Sequence, residues 1–174
     1  MTHIMVDLET LSTKCNAAIL AIGAVKFDAE RRVYNKFYQA VLTAVMPGGF
    51  HVSSDTLSWW TKQSEEARGV FTDPNACTID DALVSFANWA LLNDDIKNLY
   101  MWGNGAAFDN AILSTAYDIC GWPQPWMFWN DRCYRTMKAQ HRDVDFVRLG
   151  TFHNALHDAE SQAEHLLAME ITLE

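Results

Sequence analysis

The chain has 174 residues, 49% of them apolar and 20% charged, with a formal net charge of −9. That balance gives one globular domain over residues 1–174 with a sizeable core, and it argues against a disordered tail or a protein that coats nucleic acid through its own charge. No apolar run is long enough to span a bilayer, and Met1-Thr2-His3 leads into a strand without a signal peptide. The four cysteines (Cys15, Cys77, Cys120, Cys133) are scattered, which fits reduced thiols in a cytoplasmic protein.

His3-Ile4-Met5-Val6-Asp7-Leu8-Glu9 alternates in the strand period, so Ile4, Val6 and Leu8 face one side and Met5, Asp7 and Glu9 the other. Leu11 to Asn16 is a turn, Ala17 to Phe27 a second strand, Asp28 to Arg32 a polar hairpin loop, and Val33 to Leu42 a third strand. Short turns between the three predict an antiparallel meander. Ser53, Ser54 and Asp55 are candidate caps for a helix from Thr56 to Arg68, and Thr78 with Asp81 opens another, Ile79 to Leu92. Asn98 to Trp102 is a fourth strand, and a helix from Phe108 ends at Cys120 before Gly121. An irregular stretch, Trp122 to Trp129, has room for a short edge strand. Asp131 to His141 is a further helix, and the last begins near Asn154. The order predicts a mixed α/β sheet with helices on both faces and Asp7 and Glu9 at the carboxyl end of its central strand.

Two acids on one strand face lie roughly 7 Å apart and raise each other's pKa unless a cation lies between them. Solvated acids on an edge strand are one reading. A buried strand with a metal-binding end is the other, and the pair alone leaves both open. Asp109 follows Gly103-Asn104-Gly105 at a strand-to-helix junction, and Asp158 lies in the first turn of the last helix. Each could equally be a charge placed at a helix N-terminus. His153, five residues before Asp158 and outside the helix, suits a general base. His157 points about 100° away from Asp158 on a helix and is a surface or supporting residue.

Val6-Asp7-Leu8-Glu9-Thr10, Gly103-Asn104-Gly105 through Phe108-Asp109-Asn110, and His153 to Ala159 resemble, in order, the three motifs of the DnaQ-like (DEDD) 3′→5′ exonucleases of the ribonuclease H-like fold. His153, with four residues between it and Asp158, matches the histidine subtype. The tyrosine subtype would place Tyr at 154, where this chain has Asn154. Thr56 to Arg68, with Trp59-Trp60 and Gln63-Ser64, is similar to a stretch of phage and prophage exodeoxyribonuclease A-type members, while other relatives are exoribonucleases.

The resemblance implies that Asp7, Glu9, Asp109 and Asp158 hold two Mg²⁺ or Mn²⁺ ions and that His153 takes the proton of the attacking water. It also implies a partner, single-stranded nucleic acid with a free 3′ end, cut to 5′-mononucleotides, with DNA slightly ahead of RNA. Thr10 and Leu11 would border the terminal nucleotide, Thr10 through its backbone and Leu11 as an apolar wedge. Trp59 and Phe108 are candidates for base stacking, against core packing as the alternative. Between Trp126 and His153, five basic residues (Arg132, Arg135, Lys138, Arg142, Arg148) face three acids, which suits either backbone phosphates or a solvated helix face. A small-phosphoester hydrolase and a catalytically silent binding module are the rival functions. No membrane partner is expected, and a homodimer is left open.

Overall fold

The structure, a computed structural model, describes residues 1–28, 30 and 32–173. Strand β1 (Thr2–Thr10) runs through the middle of a five-stranded sheet. β2 (Ile19–Asp28) lies antiparallel beside it and β3 (Arg32–Ala40) antiparallel beyond that, while β4 (Leu99–Gly103) and β5 (Asp131–Cys133) run parallel to β1 on its other side. The predicted meander is therefore present, although its first hairpin loop, 28–32, falls partly on residues 29 and 31, outside the described residues.

The period-2 pattern of β1 sorts its side chains as the sequence implies. Ile4, Val6 and Leu8 pack with Leu83 and Phe86 of α3 (Ile79–Leu91) and with Leu113 and Tyr117 of α4 (Asp109–Cys120). Met5 packs on the opposite face with Val25, Phe27 and the Ala159, Ala163 and Leu166 stripe of α6 (Ala155–Ala168). Burying apolar groups on both faces encloses β1, and its carboxyl end becomes a desolvated platform. Helix starts follow their caps: the Thr78 hydroxyl accepts from the Asp81 N–H, and Asn154 accepts from the His157 N–H.

Two expectations need correction. The helix expected over 56–68 is broken into α1 (Ser54–Trp60) and α2 (Glu65–Arg68), because the Ser64 side chain accepts from the Ala67 N–H and starts a new helix. The helix expected from Asp131 begins instead at Tyr134, as α5 (Tyr134–Gln140). Asp131 accepts hydrogen bonds from the Asn110 amide and the Trp126 indole, which hold residues 131–133 as the edge strand β5. The short edge strand given room in 122–129 is this β5, which lies just beyond that stretch, and the four longer expected strands and the Ile79 and Phe108 helices end within two residues of their observed bounds. No described helix is long and apolar enough to cross a membrane.

Candidate active site

Asp7 and Glu9 project from β1 toward the N-terminus of α6. Asp7 stands opposite Gly23 on β2, where a Cβ would lie only 2.1 Å from the Ala155 carbonyl carbon. The bare glycine lets the first turn of α6 settle on the sheet and brings Asp158 over the two acids. Gly103, at the end of β4, likewise leaves room for Asp109, whose Cβ is 2.9 Å from where a glycine-103 side chain would begin. Asp109 is 2% exposed. Its Oδ1 accepts from the Leu8 N–H at 3.3 Å, and its Oδ2 is buried without a hydrogen-bond partner among the described residues.

His153 arrives from the loop before α6 with φ +58°, a left-handed conformation uncommon for a residue with a side chain. Its ring packs edge-on against Trp59, centroids 4.8 Å apart. Ligand atoms of Glu9, His153 and Asp158 all lie within 4.8 Å of one another. A cavity of about 250 Å³ collects Asp7, Glu9, Asp109, Asp158 and His153, with Leu8, Phe108, Asn104, Arg135 and Gln162 completing its wall. All five catalytic residues expected from the sequence are thus brought together.

The acids are electrostatically unsatisfied. Burial first, then the charges of Asp109, Glu9 and Asp158, push the Asp7 carboxyl well above its ordinary range, against a lowering hydrogen bond from Gln162. Burial, then Asp158 and Asp109, raise Glu9 to about 8, although Arg148 acts to lower it. Burial raises Asp109 to about 7, with backbone N–H donors and the Arg135 charge working in the other direction. Such a cluster lowers its energy by taking up protons or cations. The all-oxygen carboxylate set and the partnerless Asp109 Oδ2 fit hard divalent cations.

A second, larger groove of about 480 Å³ adjoins this cavity and shares Leu8, Glu9 and Phe108 with it. Thr10, Trp59 and Trp60 line it as well. Trp59 is 41% exposed, whereas Trp60 is buried and its indole N–H donates to the Thr10 carbonyl at 2.9 Å, pinning α1 to the end of β1. Leu11 is not brought to either cavity. Its N–H donates to the Ala18 carbonyl, and its side chain is buried with Leu20, Trp60 and Ala67, so it supports the groove from beneath. His157 also stays out of the acid cavity; its Nδ1 accepts from the Thr151 N–H in the loop before α6.

Three site residues escaped the sequence reading of roles. Gln162 donates to Asp7 Oδ1 at 2.8 Å, and its place four residues after Asp158 on one helix face was the available signal. Arg148 is ion-paired with Asp158 and stacks on the Phe152 ring. Arg135 stood only as one of five basic residues, yet it reaches the cavity wall.

Four carboxylates and an imidazole converging at the carboxyl end of the central strand, in a sheet of this order, define a phosphodiester-hydrolysing nuclease on the ribonuclease H-like fold. The chain belongs to the family described as 3′-5′ exoribonuclease Rv2179c-like domain, whose sequence profile matches residues 2–169. It is a 3′-5′ exonuclease of the DnaQ-like group, whose DEDDh members generally use divalent metal ions. An exodeoxyribonuclease of Enterobacteria phage T4 is 25% identical over 161 residues, covering 78% of this chain and 70% of the phage protein. The nuclease domain of 3′hExo, a DEDDh family member bound to rAMP, shares the fold at 13% identity and a TM-score of 0.65, over 97% of this chain and 91% of that one. Exonuclease I of E. coli, in complex with a 5cy-dT13 oligonucleotide, shares it at 12% identity and a TM-score of 0.65, over 94% of this chain. This chain spans 39% of that larger enzyme.

Proposed function

We propose that residues 1–174 form a single catalytic domain that trims single-stranded nucleic acid from a free 3′ end, releasing 5′-mononucleotides. Asp7, Glu9, Asp109 and Asp158 would hold two cations, Mg²⁺ or Mn²⁺. The observation that carries this reading is the convergence of Glu9, His153 and Asp158 within 4.8 Å beside the buried, partnerless Asp109 oxygen. When bound, the cations supply charge neutralisation for the acids and Lewis-acid polarisation at the phosphate.

The protein's own groups do the rest. His153, held by the Trp59 ring, takes the proton of the attacking water. The water oxygen bonds to phosphorus, the bond from phosphorus to the 3′ oxygen breaks, and that oxygen takes a proton from solvent while His153 returns its own to solvent. Gln162 fixes the Asp7 carboxylate by its hydrogen bond. Trp59 and Phe108 form apolar faces against which the terminal base stacks, and Thr10 offers its backbone at the groove floor.

The sugar is the finer question. The sequence alone puts DNA slightly ahead through the Trp59-Trp60 stretch, and the phage exodeoxyribonuclease relative supports that reading. The family description, which covers nearly the whole chain, shifts the weight to RNA as the main substrate. Hydroxyl groups of Thr13 and Thr56 along the groove are placed to meet a 2′-hydroxyl. Matched 5′-labelled RNA and DNA strands, each with a 3′-blocked copy, test both points in Mg²⁺. The expected result is a descending ladder from unblocked strands, faster on RNA. Faster trimming of DNA would reverse the sugar preference, and internal cuts in blocked strands would refute exonucleolytic action.

A further inference from the structure

We propose that Arg135 grips the substrate phosphate one step to the 5′ side of the bond being cut, and so sets the direction in which the strand leaves the site. This rests on the exonuclease reading above. Of the five basic residues between 132 and 148, four are engaged elsewhere. Arg132 donates to the Trp129 and Asp131 carbonyls, and its guanidinium lies 4.8 Å from the centre of the Tyr100 ring. The Lys138 ammonium sits 4.7 Å from the Phe146 ring centre, and Arg142 donates through Nε to the Ala139 carbonyl. Arg148 is ion-paired with Asp158. The Arg135 guanidinium has no hydrogen bond or ion pair among the described residues, although it is the lone lysine or arginine among those lining the acid cavity. It lies over Gly105, its Cζ 3.4 Å from where a Cβ would stand, in space that the bare glycine leaves beside the cavity wall.

The charge pattern around the acids is one-sided. The groove that shares Leu8, Glu9 and Phe108 with the cavity has neither lysine nor arginine in its wall, and Asp55 adds a negative charge there. A phosphate is repelled from that side, whereas an uncharged base face is welcome against Trp59. The terminal nucleoside therefore occupies the groove, its 5′ phosphate reaches the acids, and the next phosphate along the chain passes Arg135. A planar guanidinium with free donors suits a phosphate oxygen pair. Among the residues lining the cavity, Arg135 alone offers such a fork.

Dinucleotides isolate this contact. UpU carries only the scissile phosphate, whereas pUpU adds the phosphate one step to its 5′ side, and the deoxy pair dTpdT and pdTpdT does the same for DNA. With wild-type enzyme and Mg²⁺, the KM for the 5′-phosphorylated member should be roughly tenfold lower, the size of a charge-assisted contact at a partly exposed site. Arg135→Gln should erase that gap by bringing the KM values of the two members together, whatever common change in kcat follows from losing a charge near Asp109, and Arg135→Lys should restore part of the gap. A KM gap that survives in Arg135→Gln, or a KM raised equally for both members, overturns the assignment. The second case would place Arg135 on the scissile phosphate. Binding gives a readout independent of turnover: in a His153→Gln background, Arg135→Gln should flatten the log-affinity against log-salt slope for a labelled twelve-nucleotide strand by about 0.7, one phosphate contact on a single strand. An unchanged slope also overturns it. If wild-type enzyme releases no 5′-mononucleotide from any strand, the exonuclease reading itself has failed, an outcome separate from these.

Discussion

The two adjoining cavities are built on opposite physical principles. The acid cavity stands on the buried end of β1, with Asp109 sealed at 2% exposure and with carboxyls raised to about 7 and about 8. The groove beside it leans on a seven-residue helix, α1, and exposes Trp59 at 41%. One region is rigid, desolvated and repelling until a cation enters, and the other is open, neutral over most of its wall and tolerant. The contrast separates chemistry from recognition: changes in the first should act on turnover and metal binding, and changes in the second on substrate affinity.

The largest effect should come from the acids. Asp7→Asn and Asp109→Asn are expected to lower turnover by about a thousandfold or more, since each would remove a ligand of the proposed cations. The same substitutions should leave the metal-free melting temperature unchanged or raise it, because each relieves a repelling cluster. A large loss of stability in both variants would mean that the acids hold the fold together, and the contrast would collapse.

His153→Ala should lower kcat by about a hundredfold with little change in Mn²⁺ affinity, as for a lost general base. His157→Ala should change kcat far less, because its Nδ1 supports the Thr151 backbone outside the acid cavity. If the His157 variant is the more damaged, the proton acceptor has been misassigned. In the groove, Trp59→Ala should raise KM by roughly tenfold, the weight of one stacked base, with a smaller change in kcat. Because the Trp59 ring also supports His153, Trp59→Phe should retain more kcat than Trp59→Ala.

The smallest effect is on stability against pH. Glu9 and Asp109 have folded pKa values raised to about 8 and about 7, and Asp7 is shifted in the same direction, so the folded state binds more protons than the unfolded chain from about pH 4 to at least about pH 8. Stability of the metal-free protein should therefore fall as pH rises through that window, with the Glu9 and Asp109 contributions spent above about 8. Melting curves in chelator check this, and Glu9→Gln should flatten the upper part of the slope. Saturating Mg²⁺ should remove the decline.

Much of the acid cavity was legible in the sequence because its positions are local. The period-2 alternation of residues 3–9 put Asp7 and Glu9 on one face, and the Asn154 cap fixed the start of α6 and hence the place of Asp158. The groove was less legible because its shape depends on long-range contacts. Leu11 follows Thr10 and looked like part of the nucleotide wall, yet its N–H pairs with Ala18 and turns the side chain inward. Ser64 was read inside a helix and instead caps a new one. The approach of Ala155 to Gly23 and the pairing of Arg148 with Asp158 join elements far apart or a loop to a helix, which no periodicity reports.

The most direct test is to count the protons that cations displace. With Glu9 at about 8 and Asp109 at about 7, both carboxyls are at least half protonated at pH 7, so binding at these oxygens must release protons. Calorimetric titration with Mn²⁺ at pH 7, run in two buffers of different ionisation enthalpy, measures that number. The expected result is saturable binding with release of about one proton or more per protein, and a clear loss of both binding and release in Asp109→Asn. Binding without proton release, or binding undiminished in Asp109→Asn, would contradict a cation site built from these four acids.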